Sequence, residues 1–179
     1  MIKTRITIAF LFSLFSISIV TAQGFPEQAI KKKLKARKIE MDEGNGDGVF
    51  KAKSRKTRKW GMYQWMYEGT NVKELIPMAY DSLRYFPFNG AFTAVYNNGK
   101  VGIYLSAWTF DEDAKQTIEC KYEDYRRVRV RKEEYSMGTI YLAMKKNGLW
   151  GWVDWMTGEE KSDFAFETLD DLPFPQYEQ

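Results

Sequence analysis

The chain has 179 residues, no histidine, one cysteine and a formal net charge of +3, with 44% hydrophobic and 16% aromatic residues. Without histidine, catalysis through a Ser-His or Cys-His pair and zinc sites built on imidazole are excluded. No Gly-x-Ser-x-Gly, Ser-x-x-Lys or phosphate-cradling glycine loop occurs, and Cys120 has no partner for an intrachain disulfide, which leaves a buried small hydrophobe, the favoured reading, or an intermolecular partner.

The first segment, residues 1–22, has the layout of a secretory signal peptide. Lys3 and Arg5 precede an apolar run from Ile6 to Val20, and Val20-Thr21-Ala22 offers small residues at the cleavage positions. The run is Ser-rich and short for a membrane span, so cleavage before Gln23 is expected rather than a retained anchor. No cysteine follows it to take a lipid. The expected location is periplasmic or extracellular, with no stable membrane span in the mature chain. Removing Lys3 and Arg5 lowers the net charge from +3 to +1. The remaining charge is uneven, because Lys31 to Lys59 is strongly basic while Asp154 to Gln179 holds eight acids and one lysine.

Residues 23–47 read as a basic N-terminal segment. Ile30, Leu34 and Met41 fall at helical spacing among lysines, with Ile39 off that stripe, which predicts a short amphipathic helix or a flexible tether. Glu43-Gly44-Asn45-Gly46-Asp47-Gly48 is a loop by its glycine content. Its alternating oxygens resemble the opening of a calcium loop, but position twelve is Ser54 where a bidentate carboxylate belongs. No metal and no cofactor is therefore expected.

From residue 48 to 179 the pattern is strand and turn, and it recurs. Gly48 leads to Gly61 over 13 residues, Gly90 to Gly102 over 12, and Gly138 to Gly151 over 13. Aligned on the leading glycine, the second and fourth following residues are apolar in every copy: Phe50 and Ala52, Phe92 and Ala94, Ile140 and Leu142. That alternation predicts strands with one inward and one mixed face. Asn98-Gly99 and Asn147-Gly148 predict tight hairpin turns, and Arg55 to Arg58 replace that signal in the first copy. The second glycine, at Gly61, Gly102 or Gly151, sits inside a strand, which predicts a bulge or a close approach by another group, such as an aromatic ring. Between hairpins, Ile76 to Tyr80-Asp81 aligns with Ile118 to Tyr122-Glu123 and, more weakly, with Ser162 to Phe166-Glu167. The chain stops before a fourth hairpin, so the last repeat is truncated and acts as a cap. The predicted fold is all-β: antiparallel hairpins stacked as a short open solenoid or meander that shares one interior, after a short N-terminal helix or tail.

Several spaced landmarks carry a resemblance to a known family. Trp60-Gly61-Met62-Tyr63, Ile76-Pro77-x-x-Tyr80-Asp81, Phe88-Asn89-Gly90-Ala91 and Leu149-Trp150-Gly151-Trp152-Val153-Asp154 together resemble the WG-repeat family, over about Gly48 to Phe174. In the second copy Val101 stands in place of Trp and Glu119 in place of Pro. The resemblance implies a non-enzymatic, often exported bacterial scaffold. It marks Trp60, Gly61, Tyr80, Asp81, Gly90, Gly102, Tyr122, Gly138, Trp150 and Gly151 as structural repeat positions and brings no catalytic residues.

Two residue sets are candidate ligand contacts. Arg127, Arg129 and Arg131 alternate with Val128 and Val130, so a strand presents the three guanidinium groups on one face, suited to anions. The bland alternative, a solvated face paired with neighbouring acids, is favoured. Trp65, Trp108 and Trp155 are not at shared repeat positions and could stack on sugars or anchor a protein, although core filling is the commoner role. The acid pairs Asp111 to Asp113, Glu133-Glu134, Glu159-Glu160 and Asp170-Asp171 read as solvated loop charge, since sequence neighbours on a strand face opposite ways. The expected function is an exported non-enzymatic module that binds or scaffolds a protein or an anionic or neutral cell-envelope glycan; nucleic acid is a poor fit. The alternative is a carboxylate-dependent polysaccharide hydrolase. Intact-mass measurement of protein recovered from outside the cytoplasm should show a chain beginning at Gln23, and a mass that retains residues 1–22 would refute the signal assignment.

Overall fold

The computed structural model describes residues 24–41, 48–85, 92–105, 113–130 and 139–173. The signal segment, the 42–47 loop with its calcium-like oxygens, Gly90, Trp108, Arg131 and Gly138 lie outside the described residues. The described chain is mostly antiparallel β, in three sheets with no closed barrel.

A single short helix comes first. Helix α1 (Glu27–Lys33) carries an acid in its first turn and lysines in its last, which suits the helix dipole, and it buries Ile30. Lys35 then takes a φ of 51°, which ends the helix. The following residues form strand β1 (Ala36–Met41) instead of continuing a helical stripe. Ala36 and Ile39 point inward from it, and Met41 is exposed. Met41 therefore does not belong to a helix face, and Ile39, which broke the helical spacing, is a strand residue.

The first sheet is completed by β2 (Val49–Ser54), β3 (Trp60–Trp65) and β4 (Val72–Tyr80), in the order β1-β2-β3-β4. The second consists of β5 (Ser82–Tyr85), β6 (Phe92–Asn97), β7 (Lys100–Leu105) and β8 (Lys115–Tyr122), in chain order. The third has β9 (Asp124–Val130), β10 (Thr139–Lys146) and β11 (Leu149–Val153), and beyond β11 only isolated bridges, Trp150 to Phe166 and Val153 to Glu160. The hairpins β6–β7 and β10–β11 close through Asn98-Gly99 and Asn147-Gly148, all four residues at positive φ. The first hairpin has a longer loop, in which the Ser54 hydroxyl accepts from the N–H groups of Lys56 and Thr57 and Arg58 takes a φ of 62°.

Pairing fixes which residues are equivalent. Gly61 lies opposite Ala52, Gly102 opposite Val95 and Gly151 opposite Met144. The leading-glycine alignment is therefore one residue out in the second copy and two in the third. Because side chains alternate, a one-residue slip reverses the face. Phe50 and Ala52 face α1 and Leu142 faces the second sheet, whereas Phe92 and Ala94 face the third sheet. The strand β6 is buried on both faces over Phe92 to Val95, so its own alternation does not reveal the slip.

In the corrected register every sheet presents the same face to the next. Met62, Ile76 and Tyr80 of the first sheet pack on Leu83, Val95 and Tyr104 of the second. Val101, Ile103, Ile118 and Tyr122 of the second pack on Tyr125, Leu142, Met144 and Val153 of the third. Helix α1 covers the outer face of the first sheet with Ile30 beside Phe50, Tyr63 and Trp65. At the other end Leu172 and Leu169 cover Trp150 and Trp152, and Trp152 Nε1 donates to the Pro173 carbonyl at 2.7 Å. The interior is thus a series of apolar layers divided by the sheets, not one undivided core.

The in-strand glycine has a common cause in all three copies. Trp60 pairs with Tyr80 and Met62 with Ile76, so Gly61 alone faces the bowed backbone of residues 77–79. Val101 pairs with Tyr122 and Ile103 with Ile118, so Gly102 faces residues 119–121 in the same way, with Glu119 in the place of Pro77. A Cβ at Gly61 would lie 2.7 Å from the Ile76 carbonyl oxygen, one at Gly102 2.5 Å from that of Ile118, and one at Gly151 2.9 Å from that of Asp163. The close neighbour is backbone at Gly61 and Gly102, and an aromatic ring, Phe164, joins it only at Gly151. Gly102→Ala should lower the unfolding free energy by about 2 kcal/mol, as overpacking against backbone does. Urea denaturation checks this, and a midpoint equal to that of the parent chain would contradict the close packing.

Candidate functional site

Successive sheets are joined at corners one residue long. Strand β4 passes into β5 through Asp81, and β8 into β9 through Glu123. Each corner N–H donates into the next hairpin, Asp81 to the Tyr96 carbonyl at 2.8 Å and Glu123 to the Lys145 carbonyl at 2.7 Å. Each corner carboxylate then bridges two sheets. Asp81 accepts from Lys59 Nζ at 2.6 Å and from the Asn98 N–H at 2.8 Å. Glu123 accepts from the Gly148 N–H at 2.9 Å and from Lys100 Nζ at 3.3 Å. The hydrogen bond from Lys59 holds the Asp81 carboxyl below its ordinary pKa, and that from the Gly148 N–H does the same for Glu123.

The tyrosine that precedes each corner reaches forward into the next sheet. The Tyr80 hydroxyl donates to Gln116 Oε1 at 3.3 Å and lies 3.1 Å from the Tyr104 hydroxyl. The Tyr122 hydroxyl donates to Glu160 Oε1 at 2.8 Å. Gln116 is bonded opposite Tyr104, and Glu160 opposite the equivalent Val153. At the corresponding position of the third sheet stands Phe166, among the residues of the outer layer, where no further sheet follows in the described chain. Phenylalanine keeps the ring there and drops the hydroxyl.

Around Glu160 this seam opens into a cavity of about 690 Å³ lined by Lys146, Asn147, Glu160, Lys161, Ser162 and Phe164 among others. Lys146 Nζ donates to both Glu160 oxygens at 3.0 and 3.2 Å, and Lys121 Nζ lies 3.9 Å away. Phe164 stacks on Tyr122, with ring centroids 5.6 Å apart, and Lys146 Nζ sits 5.2 Å from the Phe164 ring. Hydrogen bonds from Lys146 and then Tyr122 hold the Glu160 carboxyl below its ordinary value. Burial, reinforced by Glu160, pushes the Tyr122 hydroxyl up. The cavity therefore offers a fixed negative charge, two lysines and one aromatic wall. That set can hold a polar ligand, with Glu160 kept ionised by its hydrogen bonds to Lys146 and Tyr122.

The structure separates the tryptophan and arginine candidates. Trp65 is 6% exposed in the layer beneath α1, edge-on to Phe25, with its Nε1 donating to the Gly69 carbonyl at 3.0 Å. It is a core residue. Trp155 is half-buried against Phe92, and its carbonyl accepts from the Thr117 hydroxyl at 2.7 Å. Arg127 is half-buried opposite Leu142, on the strand face that Tyr125 buries against the second sheet, while Val128 packs in the outer layer. Arg126 of β9 is exposed, ion-paired with Asp124 at 3.1 Å and 6.0 Å from the Trp150 ring. Arg129 is placed by its backbone pairing with Ile140. Cys120 is half-buried, its thiol pointing at the Val95 carbonyl 3.6 Å away, and burial pushes its pKa up.

Of the acid pairs, Glu159 bonds Lys161 and Asp171 accepts from the Thr168 hydroxyl at 2.6 Å. Among the described residues no three carboxylate or thiol side chains converge on a metal-sized space, and no helix is long and apolar enough to cross a membrane. The forward-reaching tyrosines and corner carboxylates had a sequence signal, the recurring Tyr-acid pair, but the Lys146–Glu160 contact had none. The chain matches no protein-family profile, no curated protein and no solved structure.

Lowered carboxyl values have a definite consequence. An unfolded Glu160 titrates near its ordinary 4.5 while the folded one titrates lower, so the unfolded chain binds more protons in that window. Stability should be level above about pH 5 and fall as the pH drops through the folded values. Glu160→Gln should flatten part of that slope in urea titrations at pH 3 to 6, and an unchanged slope would remove Glu160 from the ledger of acid sensitivity.

Proposed function

We propose that this chain is an exported, non-enzymatic repeat module of the WG-repeat type that binds or scaffolds a protein or a cell-envelope glycan. The observation that carries the reading is the recurrence of the inter-sheet contacts. The Tyr80 and Tyr122 hydroxyls and the Asp81 and Glu123 carboxylates hold one sheet to the next in the same geometry. Repeated polar contacts of this kind build a platform, and arrays of such units present extended surfaces to partners.

Among the described residues, which leave out Asp111, Glu112, Glu133 and Glu134, the shifted carboxyls favour the binding reading over the hydrolase alternative. Glu40, Asp81, Glu123 and Glu160 are all held below their ordinary values by lysines or backbone N–H groups. A glycosidase acid needs the opposite shift, so that one carboxyl stays protonated near neutrality. The order 23–47 basic segment, then 48–179 repeat domain, also changes in emphasis under this reading, since β1 makes the basic segment part of the first repeat.

The test is a panel of cell-envelope glycans and envelope protein extracts presented to the mature chain. Retention without release of reducing ends is the expected result. Release of sugar that vanishes in Glu160→Gln would overturn the reading in favour of a polysaccharide hydrolase.

A further inference from the structure

Two basic runs that lie apart in sequence meet on the first sheet. Pairing of β1 with β2 sets Lys38 directly opposite Lys53, and the Arg55 N–H donates to the Lys35 carbonyl at 3.1 Å. The ammonium nitrogens of Lys38, Lys51 and Lys53 lie 6.0, 5.7 and 5.3 Å from the centre of the half-buried Trp60 ring. Glu40 answers two of them, Lys38 at 2.6 Å and Lys51 at 2.9 Å.

The repeat itself does not require this cluster. Positions equivalent to Lys51 and Lys53 hold Ala94 and Tyr96 in the second sheet, and Ala143 and Lys145 in the third. The position of Lys38 holds Ser82 and then Asp124. Like charges directly opposite on a sheet are destabilising, so the first sheet carries a charge arrangement that folding alone disfavours and that its sister sheets lack. The indole compensates only in part, since a cation over a ring at a solvent-accessible site gains little.

We infer that this end of the first sheet, Lys38, Lys51 and Lys53 around Trp60 with Lys35 and Arg55 at its rim, is a docking surface for a linear acidic polysaccharide. The inference rests on the proposed reading as an envelope-binding module and names its ligand class. Lysines on alternate residues of one strand stand about 7 Å apart and adjacent strands about 5 Å apart, spacings that allow one extended chain to meet several of them. The indole adds a ring face for a sugar among the charges that hold its acid groups. A bilayer is a poorer fit, because among the described residues the exposed large hydrophobics Met66 and Tyr67 lie beyond the opposite end of this sheet and Met156 in the turn after β11, which leaves Met41 alone beside the lysines.

The experiment uses the mature chain with heparin, polygalacturonate and neutral dextran as probes in titration calorimetry, beside a duplex DNA oligomer and phosphatidylglycerol vesicles. Heparin and polygalacturonate should bind, more weakly as salt rises, and dextran should not. Lys38→Ser/Lys53→Ser should weaken that binding by at least about fivefold, while Lys73→Ser/Lys115→Ser, which removes the same charge elsewhere, should leave it within about twofold. A urea midpoint for Lys38→Ser/Lys53→Ser no lower than that of the parent chain would show that repulsion and not support had been removed. Equal losses in the two variants would reduce the effect to net charge and overturn the inference. Tighter binding of DNA or vesicles than of either acidic polysaccharide would also overturn it. Retention of a neutral glycan or a protein with no affinity for acidic chains would end this inference and leave the binding-module reading intact, whereas sugar release would strike the reading itself.

Discussion

The structure depends on the contact between a bare glycine in each outgoing hairpin strand and the strand that closes the sheet. At Gly61 and Gly102 the closing strand bows inward until its backbone occupies the space a Cβ would fill. The bow inserts residues on one side of the ladder only, which increases twist and turns the chain. That turn delivers Tyr80 and Tyr122 to the forward face and places Asp81 and Glu123 at corners one residue long. A side chain at the glycine would push the closing strand away and move the tyrosine, the corner acid and the next sheet together.

Stacking then follows from supply and demand for polar partners. Each forward tyrosine needs an acceptor in the next sheet and finds it at Gln116 or Glu160. Each turn of the next hairpin offers an N–H that the corner carboxylate accepts. The ends are closed differently. Helix α1 supplies Ile30 and the residue that caps it supplies Leu34 at the start, and Leu169 and Leu172 lie over Trp150 and Trp152 at the finish. Phe166 replaces the forward tyrosine where no further acceptor follows in the described chain, which is what burial of a hydroxyl without a partner would penalise.

With these contacts holding sheet to sheet, the features left for a ligand are those in which one copy departs from its sisters. The third copy lacks a regular closing strand, and there Lys146, Glu160 and Phe164 border an open cavity. The first copy gathers three lysines around Trp60, a position held by Val101 in the second copy and by Trp150 with Lys145 and Arg126 beside it in the third. The third copy departs in backbone pairing and the first in charge, and neither departure disturbs the register of the hairpins. A repeat scaffold can carry such local changes cheaply because its stability is spread over nearest-neighbour interfaces.

Much of this was legible in the residues, and the remainder has physical reasons for being hidden. Asn98-Gly99 and Asn147-Gly148 named their turns because few residues tolerate positive φ, and the glycines at 61, 102 and 151 marked a close approach because nothing larger fits. The strand β1 escaped notice because ARKIEM buries only Ala36 and Ile39 and otherwise looks like a charged tail until its partner is known. The register of β6 escaped because period-two alternation reports a face only when the other face is wet, and here both are dry. By itself the sequence determined the hairpins, their turns, their order and the number of copies, since propensity and turn chemistry act over a few residues. The tertiary structure alone decided which face each strand turns forward, and that Lys38 meets Lys53 beside Trp60, because those outcomes depend on pairing between segments that no local pattern links.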